Sequence, residues 1–347
     1  MSATRPTLRE VAQEAGVSIG TASNAFNKPG SLSTELLERV HAAADKLGYA
    51  GPDPSARRLR TGRAGAIGLI FTAELPFAFT DQATIEFMRG VAEGVEEAAN
   101  GLLIVPGTFG APDPAKVVRE AAVDGFLVYS TPTGDPRTEA ALARRLPTVT
   151  VDQPRDAPTT FIGIDDRAAA AAAARHVIEL GHERIGILAF AITAFDRGEY
   201  PYDVSIERRA GYAEALGDAY REDEVFVAMP NPVDAVRQAR ELLERPERPT
   251  AILAMSDTLA AGVLQAAREL GLDVPRDLSV VGFDDSPLAR QTDPPLTTIA
   301  QPQQRKGTDA ARLLINAIED EEPLDPARRI LLPYELKVRG STTRPAS

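Results

Sequence analysis

The sequence predicts a small all-α head followed by a larger α/β body with two lobes. Three observations predict this organisation. Short helical segments with capping residues fill the first 49 positions. Strand-length apolar runs then alternate with helix-length runs, and this alternation passes through two similar halves. Such alternation is typical of parallel sheets, and the repetition indicates two lobes with a cleft between them.

The composition limits the class of protein. The chain has 347 residues, 44% of them hydrophobic, which is enough for more than one domain. It has no cysteine, which excludes disulfides and thiolate metal sites and favours a reducing compartment. Neither a signal peptide nor a membrane span is evident, and no cofactor or metal motif stands out. We therefore expect a soluble, cytoplasmic protein.

Charge is distributed unevenly along the chain. The net charge is −12, yet the first 63 residues hold nine Lys and Arg against six Asp and Glu. The head therefore carries +3 and the rest of the chain −15. A basic head on an acidic body suits a head that meets a polyanion, although chance asymmetry remains an alternative.

The head has the signals of a helix-turn-helix. Thr7 followed three residues later by Glu10 forms a capping-box pattern. Gly16 favours the end of the first helix, because glycine adopts the left-handed conformation at little cost. Ser18 can cap a second helix, and Ser33 a third that continues to residue 47. Three short helices with a tight glycine turn predict a helix-turn-helix domain over residues 1–49.

The second helix carries small polar residues where it should be exposed. At about 100° per residue, one side holds Gly20, Ser23, Asn24 and Asn27. Small polar residues suit a recognition helix in the major groove, because hydroxyls and helix amides can bind phosphates without long charged side chains. The alternative is a three-helix bundle that binds no DNA.

A short basic segment at 50–62 follows the head. Asp53 and Pro54 form a helix start, but only about two turns can follow, too few for a stable isolated helix. Three arginines, Arg57 among them, lie close together here. We predict a hinge helix that folds on a partner; a flexible basic linker is the alternative.

The body alternates strands and helices. The predicted strands lie at 66–71, 101–107, 125–130, 147–152, 184–190, 224–229, 251–257 and 278–285. Ligands of open α/β sheets bind at the carboxyl ends of the strands. Polar residues fall there, namely Tyr129, Ser130, Asp152, Ser256, Asp257, Asp284 and Asp285. With Arg208, such carboxylates can hold the hydroxyls of a sugar or small polar metabolite. We interpret Asp165, Asp166, Asp257 and Asp285 as helix caps.

Three stretches together resemble the lac repressor/gal repressor family of transcription regulators. They are "TLREVAQEAGVSIGTASNAFN", "VHAAADKLGYAGPDPSARRLRTGRAGAIGLIF" and "LSVVGFDDSPLARQTDPPLTTIAQP". The resemblance covers nearly the whole chain and implies a periplasmic-binding-protein-like body. The implied lobes are 63–161 with 289–324, and 162–288 with 325–347. It also implies a homodimer that binds operator DNA under the control of a small-molecule effector, with a hinge helix that forms on DNA.

The resemblance also assigns roles to individual residues. Phosphate-contacting positions match Thr7, Ser18, Thr21, Ser23, Asn27 and Ser33. Base-reading positions match Ile19, Gly20 and Asn24. Ala56 and Leu59 match hinge positions that enter the minor groove, where an apolar wedge kinks DNA. The implied effector-binding residues are Phe79, Asp81, Tyr129, Asp152, Arg208, Ser256 and Asp284.

Some positions depart from the family pattern. The family most often has Arg at the position of Asn24; Arg favours guanine and Asn favours adenine. Gly20 has no side chain with which to read a base. We therefore predict an operator that differs from the usual family half-site. Ser256 stands where Asn is frequent, and one extra residue lies between Tyr49 and Pro52.

Enzyme chemistry receives little support. The sequence has no Walker-type Gly-Lys-Ser/Thr motif and no GxSxG elbow, and its three histidines lack metal-ligand spacing. We interpret the chain as a ligand-controlled transcription factor and expect it to act as a repressor. Two alternatives stay open: an α/β binding protein or enzyme whose head only mediates assembly, and a DNA-binding protein whose body only dimerises.

Overall fold

The computed structural model describes residues 6–51, 62–71, 78–106, 112–191, 201–319 and 323–346. The chain divides into two compact units, with the boundary after Ala64. The predicted hinge segment, with Ala56, Arg57 and Leu59, lies outside the described residues. Within the described part of the chain, no helix is both long and apolar enough to cross a membrane.

The head is the predicted three-helix domain. Its helices are α1 (Leu8–Glu14), α2 (Ile19–Asn27) and α3 (Thr34–Leu47), with a 3₁₀ turn at Pro29–Ser31. The capping box at Thr7 and Glu10 is present, and Gly16 has the left-handed φ of 63° that ends α1. The three helices enclose a small core of Val11, Ala12, Ala15, Ala22, Ala25, Val40, Ala43 and Ala44. Small alanines in this core let the short helices pack closely.

The first lobe of the body comprises residues 65–163 and 303–331. Its sheet has the order β11-β5-β4-β3-β1-β2 with every neighbouring pair parallel. The strands are β1 (Ala66–Phe71), β2 (Gly101–Val105), β3 (Gly125–Tyr129), β4 (Thr148–Val151), β5 (Thr160–Gly163) and β11 (Arg329–Leu331). The helices are α4 (Gln82–Glu97), α5 (Lys116–Glu120), α6 (Pro136–Ala143) and α12 (Gln303–Glu319). Helix α4 packs against α12.

The second lobe comprises residues 166–300 and 335–346. Its sheet has the order β12-β10-β9-β8-β6-β7, and its pairs are parallel except for β10 with β12. The strands are β6 (Ile185–Ala189), β7 (Val225–Val227), β8 (Ala251–Ala254), β9 (Ser279–Asp284), β10 (Thr297–Ala300) and β12 (Glu335–Lys337). The helices are α7 (Asp166–Glu179), α8 (Asp203–Leu216), α9 (Pro232–Leu243), α10 (Asp257–Glu269) and α11 (Pro287–Gln291). Helix α7 packs against α8, and α9 against α10.

The points where the chain crosses between lobes differ from the expected ones. The second crossing, expected near 288, follows β10, because β10 pairs with β9 and so belongs to the second sheet. The third, expected near 325, follows β11, which pairs with β5 in the first sheet. The segment 289–300 therefore lies in the second lobe. Short strands such as β10 and β11 carry too little periodicity to reveal their sheet from sequence.

Candidate functional site

The exposed face of α2 displays the residues that the sequence predicts to read bases. Ile19, Gly20 and Asn24 are all exposed, and Ile19 keeps 47% of its surface accessible although its side chain is apolar. An apolar side chain at the start of a recognition helix can contact a thymine methyl group. The head therefore has one low-charge surface suited to a groove.

The hydroxyls around this surface are partly engaged within the head. Ser18 Oγ accepts from the Thr21 amide at 3.0 Å and so caps α2, and the Ser33 hydroxyl accepts from the Leu36 amide at 3.3 Å. Asn27 Nδ2 donates to the Ser23 carbonyl oxygen at 2.9 Å. These bonds position the predicted phosphate-contacting side chains, and the Ser18 and Thr21 hydroxyls also share a hydrogen bond of 2.8 Å.

The body encloses a cavity of about 480 Å³ between its two lobes. This volume is within the range of small-molecule sites, about 300–1,000 Å³. The first lobe contributes the ends of β3 and β4 and the start of α4; the second contributes the ends of β8 and β9 and the start of α8. Six of the seven predicted effector-binding residues line it, namely Asp81, Tyr129, Asp152, Arg208, Ser256 and Asp284.

Phe79 does not belong with the other six. Phe79 keeps 57% of its surface exposed and is absent from the lining that the described residues form. Two residues further on, Asp81 caps α4, with Oδ2 accepting from the Thr84 amide at 2.9 Å. Asp81 therefore lies at the cavity with its cap in place, whereas Phe79 does not line it.

Three lining residues have strained backbones at strand ends. Ser130, Asp152 and Asp284 have φ angles of 53°, 64° and 113°, a region that residues with a Cβ atom rarely occupy. Each such residue costs on the order of 1–3 kcal/mol, and such strain clusters at functional sites. The fold therefore holds these three side chains in place at a cost in backbone strain that formation of the sheets does not itself require.

Arg208 is held rigidly at the wall of the cavity. Its Nε donates to Asp166 Oδ1 at 3.0 Å and its Nη1 to the Met255 carbonyl oxygen at 2.6 Å. The guanidinium carbon lies 3.5 Å from the centroid of the Phe283 ring, a cation–π contact. A buried guanidinium with two fixed protein partners is preorganised to present its remaining N–H donors to a ligand.

A buried polar chain connects the two lobes beneath the cavity. Lys306 is fully buried in α12, and its Nζ lies 2.5 Å from Asp152 Oδ1. The same ammonium donates to Gln301 Oε1, and Gln301 Nε2 donates to Asp284 Oδ1. The chain of contacts thus runs from Asp152 in the first lobe to Asp284 in the second. A ligand that moves either carboxylate would be coupled to both lobes.

Burial sets the ionisation of the site. Burial is the main reason why the pKa of Asp81 is raised and why the pKa of Asp284 lies well above its usual range. At Asp284 the positive charge of Arg208 opposes this rise. Burial, with the negative charges of Asp152, Asp81 and Asp284, also raises the pKa of Tyr129. The cavity therefore disfavours negative charge.

The expected helix caps are only partly confirmed. Asp165 caps α7, with Oδ1 accepting from the Ala168 amide at 3.0 Å. The expectation is wrong for Asp166, which pairs with Arg208, and for Asp285, which pairs with Arg339. It is also wrong for Asp257, whose carboxylate accepts hydrogen bonds from Ser286 and Thr298, while Ser256 supplies the cap of α10. Tertiary contacts therefore decide the role of three of the four carboxylates.

Sequence reasoning missed several polar residues that line the cavity, among them Gln153, Gln301 and Gln303, and it also missed Lys306, which lies beneath the cavity. A signal for the last two exists, because positions 303, 306, 310 and 314 recur at helical spacing on the buried face of α12. A lysine and a glutamine in an otherwise apolar stripe indicate a buried polar site. Gln153 and Gln301 have no such signal, since they follow short strands.

Comparison with known proteins agrees with this architecture. Residues 7–51 match the model of bacterial regulatory proteins of the lacI family, and residues 174–342 match a periplasmic binding protein-like domain. An HTH-type transcriptional regulator of Mycobacterium tuberculosis is 39% identical over 357 aligned positions, which cover 98% of each chain. The HTH-type transcriptional repressor PurR of Vibrio atlanticus is 32% identical and covers 97% of this chain and 98% of its own.

A solved structure has a similar fold. The transcriptional regulator CelR in complex with cellobiose superposes with a TM-score of 0.71 at 29% identity, covering 97% of this chain and 100% of the other. Full-length coverage by both relatives and structure includes the head and both lobes. The chain therefore belongs to the lacI family of bacterial regulatory proteins, and it is a DNA-binding transcription regulator with an effector-binding body.

Proposed function

We propose that the chain is a repressor that binds a near-palindromic operator as a homodimer and responds to a sugar or a related small polar metabolite. The observation that carries the effector part is the cavity between the lobes. Asp152 of the first lobe and Asp284 of the second lobe both line it with strained backbones, and Lys306 and Gln301 connect their carboxylates by hydrogen bonds. CelR, a regulator similar along its whole length, is bound to cellobiose in its structure. A two-fold dimer requires two half-sites, which makes the operator near-palindromic.

The effector acts by changing the closure of the lobes. Closure alters how the two hinge segments of the dimer approach each other, and so whether both hinge helices form on DNA. Coupling between the two sites of about 1–3 kcal/mol is typical of such a switch. Deletion of residues 1–62 is expected to abolish operator binding and to leave effector binding intact.

Operator selection tests the DNA-binding part. The full chain is used to select binding sites from random duplexes, and the selected site is footprinted at several salt concentrations. We expect two inverted half-sites and a steep loss of affinity with salt, because phosphate contacts release counterions. Selection of unrelated sequences without a two-fold pattern would contradict the proposal.

Asn24→Arg tests the assignment of the recognition helix. The variant is expected to replace adenine by guanine at one position of each half-site, with a discrimination of about 1–3 kcal/mol. Parallel selection with the wild type and the variant measures this change. An exposed head residue away from the recognition surface, Glu38, gives the control variant Glu38→Ala. An unchanged selected site in Asn24→Arg would remove Asn24 from the base-reading set.

A further inference from the structure

The segment that follows β12 lies across two strands of the second lobe. The Ser341 carbonyl oxygen accepts from the Val280 amide of β9 at 2.8 Å, and the Ser341 hydroxyl accepts from the Thr297 amide of β10 at 2.8 Å. Ser341 is fully buried. Residues 339–343 therefore form a strap that joins β9 to β10.

Two histidines hold consecutive residues of this strap. His182, which is only 4% exposed, contacts the Thr343 carbonyl oxygen through Nε2 at 2.8 Å. His176, near the end of α7, contacts the Thr342 hydroxyl through Nε2 at 3.0 Å. The chain has three histidines, and the third, His41, lies in the head. Two of the three therefore meet at one short segment of the second lobe.

The surroundings of His182 determine which ring nitrogen carries the proton. A carbonyl oxygen can only accept, so Nε2 carries the proton and donates it to Thr343. Nδ1 then accepts from the Thr250 hydroxyl at 2.9 Å. A second proton on Nδ1 would force this hydroxyl to accept, and its own proton would be left with the Arg184 carbonyl oxygen at 3.3 Å. The neutral imidazole therefore suits this position better than the imidazolium.

No carboxylate contacts either ring within the described structure. The ring nitrogens contact only hydroxyl and carbonyl oxygens. Burial is the main cause that lowers the pKa of His176; Glu179 opposes it, and a charge on His182 adds to it. Burial also lowers the pKa of His182, while its hydrogen bond to Thr343 opposes this. A charge on either ring is therefore unfavourable while the strap is in place.

The charged groups on the surrounding elements have other partners. Arg184 Nε donates to the Arg248 carbonyl oxygen, and Arg248 Nη1 donates to the Asp277 carbonyl oxygen. Arg339 of the strap pairs with Asp285. Further charged residues nearby in the sequence are Arg175, Glu183, Arg276, Glu335, Lys337 and Arg344. None of these side chains contacts a ring nitrogen in the described part of the chain, so protonation of the rings would remain unpaired.

We propose that His176 and His182 form a pH-sensitive latch, in which the neutral rings hold the strap on the second lobe and protonation in mild acid releases it. After release the rings meet water, where an imidazole has a pKa of about 6.5. Because the pKa of each ring is lower in the latched state, the released state binds more protons, and the strap loosens as the pH falls through this value. The device does not depend on which molecule fills the cavity.

Release of the strap would also reach the wall of the cavity. Arg339 lies in the strap, and its partner Asp285 is the neighbour of Asp284, which lines the cavity. Asp284 and Asp285 both have positive φ angles, 113° and 53°, so this turn depends on contacts that hold it. Loss of Arg339 removes one of these contacts. A fall in pH is thereby linked to the position of a cavity residue.

Hydrogen exchange of the full chain tests the latch. Exchange of peptides that contain residues 339–343 is measured by mass spectrometry at pH 7.5 and pH 5.5 and corrected for the intrinsic rate at each pH. We expect protection of the strap to fall about tenfold at pH 5.5, as for the loss of one hydrogen bond, while β8 keeps its protection. Unchanged protection of the strap, or an equal loss in β8, would overturn the inference.

Glutamine variants identify the group that responds. Glutamine keeps an N–H donor and takes up no proton, so the double variant with His176→Gln and His182→Gln should hold the strap equally at both pH values. His41→Gln is the matched control and should behave as the wild type. Burial also raises the pKa of Asp257 and Asp284, at the opposite end of β9. If the double variant still lost protection at pH 5.5, the carboxyl groups would be responsible and the inference would fail.

A second measurement needs no variant. With histidine labelled by ¹⁵N, the three imidazoles of the chain give separate titration curves. We expect two of them to titrate below the ordinary value of about 6.5, and the loss of strap protection to follow their titration. Fewer than two such curves, or a loss of protection at a different pH, would overturn the inference even if the double variant failed to fold.

Discussion

At the scale of single residues, Asp257 combines burial with satisfied hydrogen bonds. Its Oδ2 accepts from the Ser286 amide at 2.7 Å, and its Oδ1 accepts from the Thr298 hydroxyl at 2.6 Å. Burial is the largest influence and raises the pKa of Asp257 to about 6, against these hydrogen bonds. Between its unfolded pKa near 4 and pH 6, the folded state therefore binds more protons than the unfolded state.

Stability is expected to fall as the pH rises through this window. From pH 5 to pH 7.5, the free energy of unfolding of the wild type should decrease by about 1.4 kcal/mol more than that of Asp257→Asn. Urea denaturation at the two pH values measures both changes. The variant is less stable overall, since an amide nitrogen cannot accept, so only the pH slope is diagnostic. Exposed Asp218→Asn is the control, and a slope in Asp257→Asn equal to that of the wild type would contradict the assignment.

At the scale of elements, glycines set the distance between α4 and α12. A Cβ atom on Gly90 would lie 1.8 Å from the Gln304 carbonyl oxygen, and one on Gly307 would lie 2.2 Å from the Phe87 carbonyl oxygen. The two backbones are therefore in direct contact. Because α4 is capped by Asp81 and α12 carries Gln303 and Lys306, this contact also positions the residues that the first lobe places at the cavity.

Gly90→Ala is expected to push these helices apart. Overpacking of this kind costs about 1–3 kcal/mol, and the measurement is the thermal unfolding of the body. The control is Glu96→Ala on the exposed side of the same helix, which should leave the melting temperature nearly unchanged. If Gly90→Ala were as stable as the control, the close approach of α4 and α12 would not be needed for folding.

At the scale of the whole body, Asp203 joins the two lobes. It is the first residue of α8 in the second lobe, and its Oδ2 accepts from the Arg155 amide of the first lobe at 2.8 Å. The Thr133 hydroxyl donates to the same carboxylate at 3.2 Å. Nearby, the Val204 amide donates to Gln153 Oε1 at 3.0 Å. These contacts hold the lobes together beside the cavity.

Asp203→Ala is expected to favour separation of the lobes without unfolding either sheet. The amide of Arg155 should exchange with solvent faster, because it loses its acceptor, and the affinity for an effector that requires closed lobes should fall about tenfold. Hydrogen exchange with mass spectrometry and calorimetry measure the two effects. Exposed Asp156→Ala is the control. Unchanged exchange at Arg155 would show that other contacts close the lobes.

Much of the fold follows from the sequence alone. The capping box, the glycine turn and the periodic apolar runs predict the head, the strands β1 to β4 and β6 to β9, and the main helices, because these signals act between neighbours in the chain. The positions of Asp152 and Asp284 at strand ends follow from the same local patterns, whereas Arg208 lies within α8, which begins at Asp203. The sheet to which each of β10 and β11 belongs does not follow from the sequence, because such short strands have only a weak apolar pattern.

The tertiary structure alone decided which polar groups neutralise one another. Asp152 and Lys306 are 154 positions apart, and Asp166 and Arg208 are 42 apart, so no local spacing relates them. Their pairing fixes which charged groups meet around the cavity, where the positive charge of Arg208 opposes the effect of burial on the pKa of Asp284. The sequence by itself determined that a small polar ligand is expected between two lobes. The polar groups that meet around the cavity are paired through contacts between distant residues, which only folding brings together.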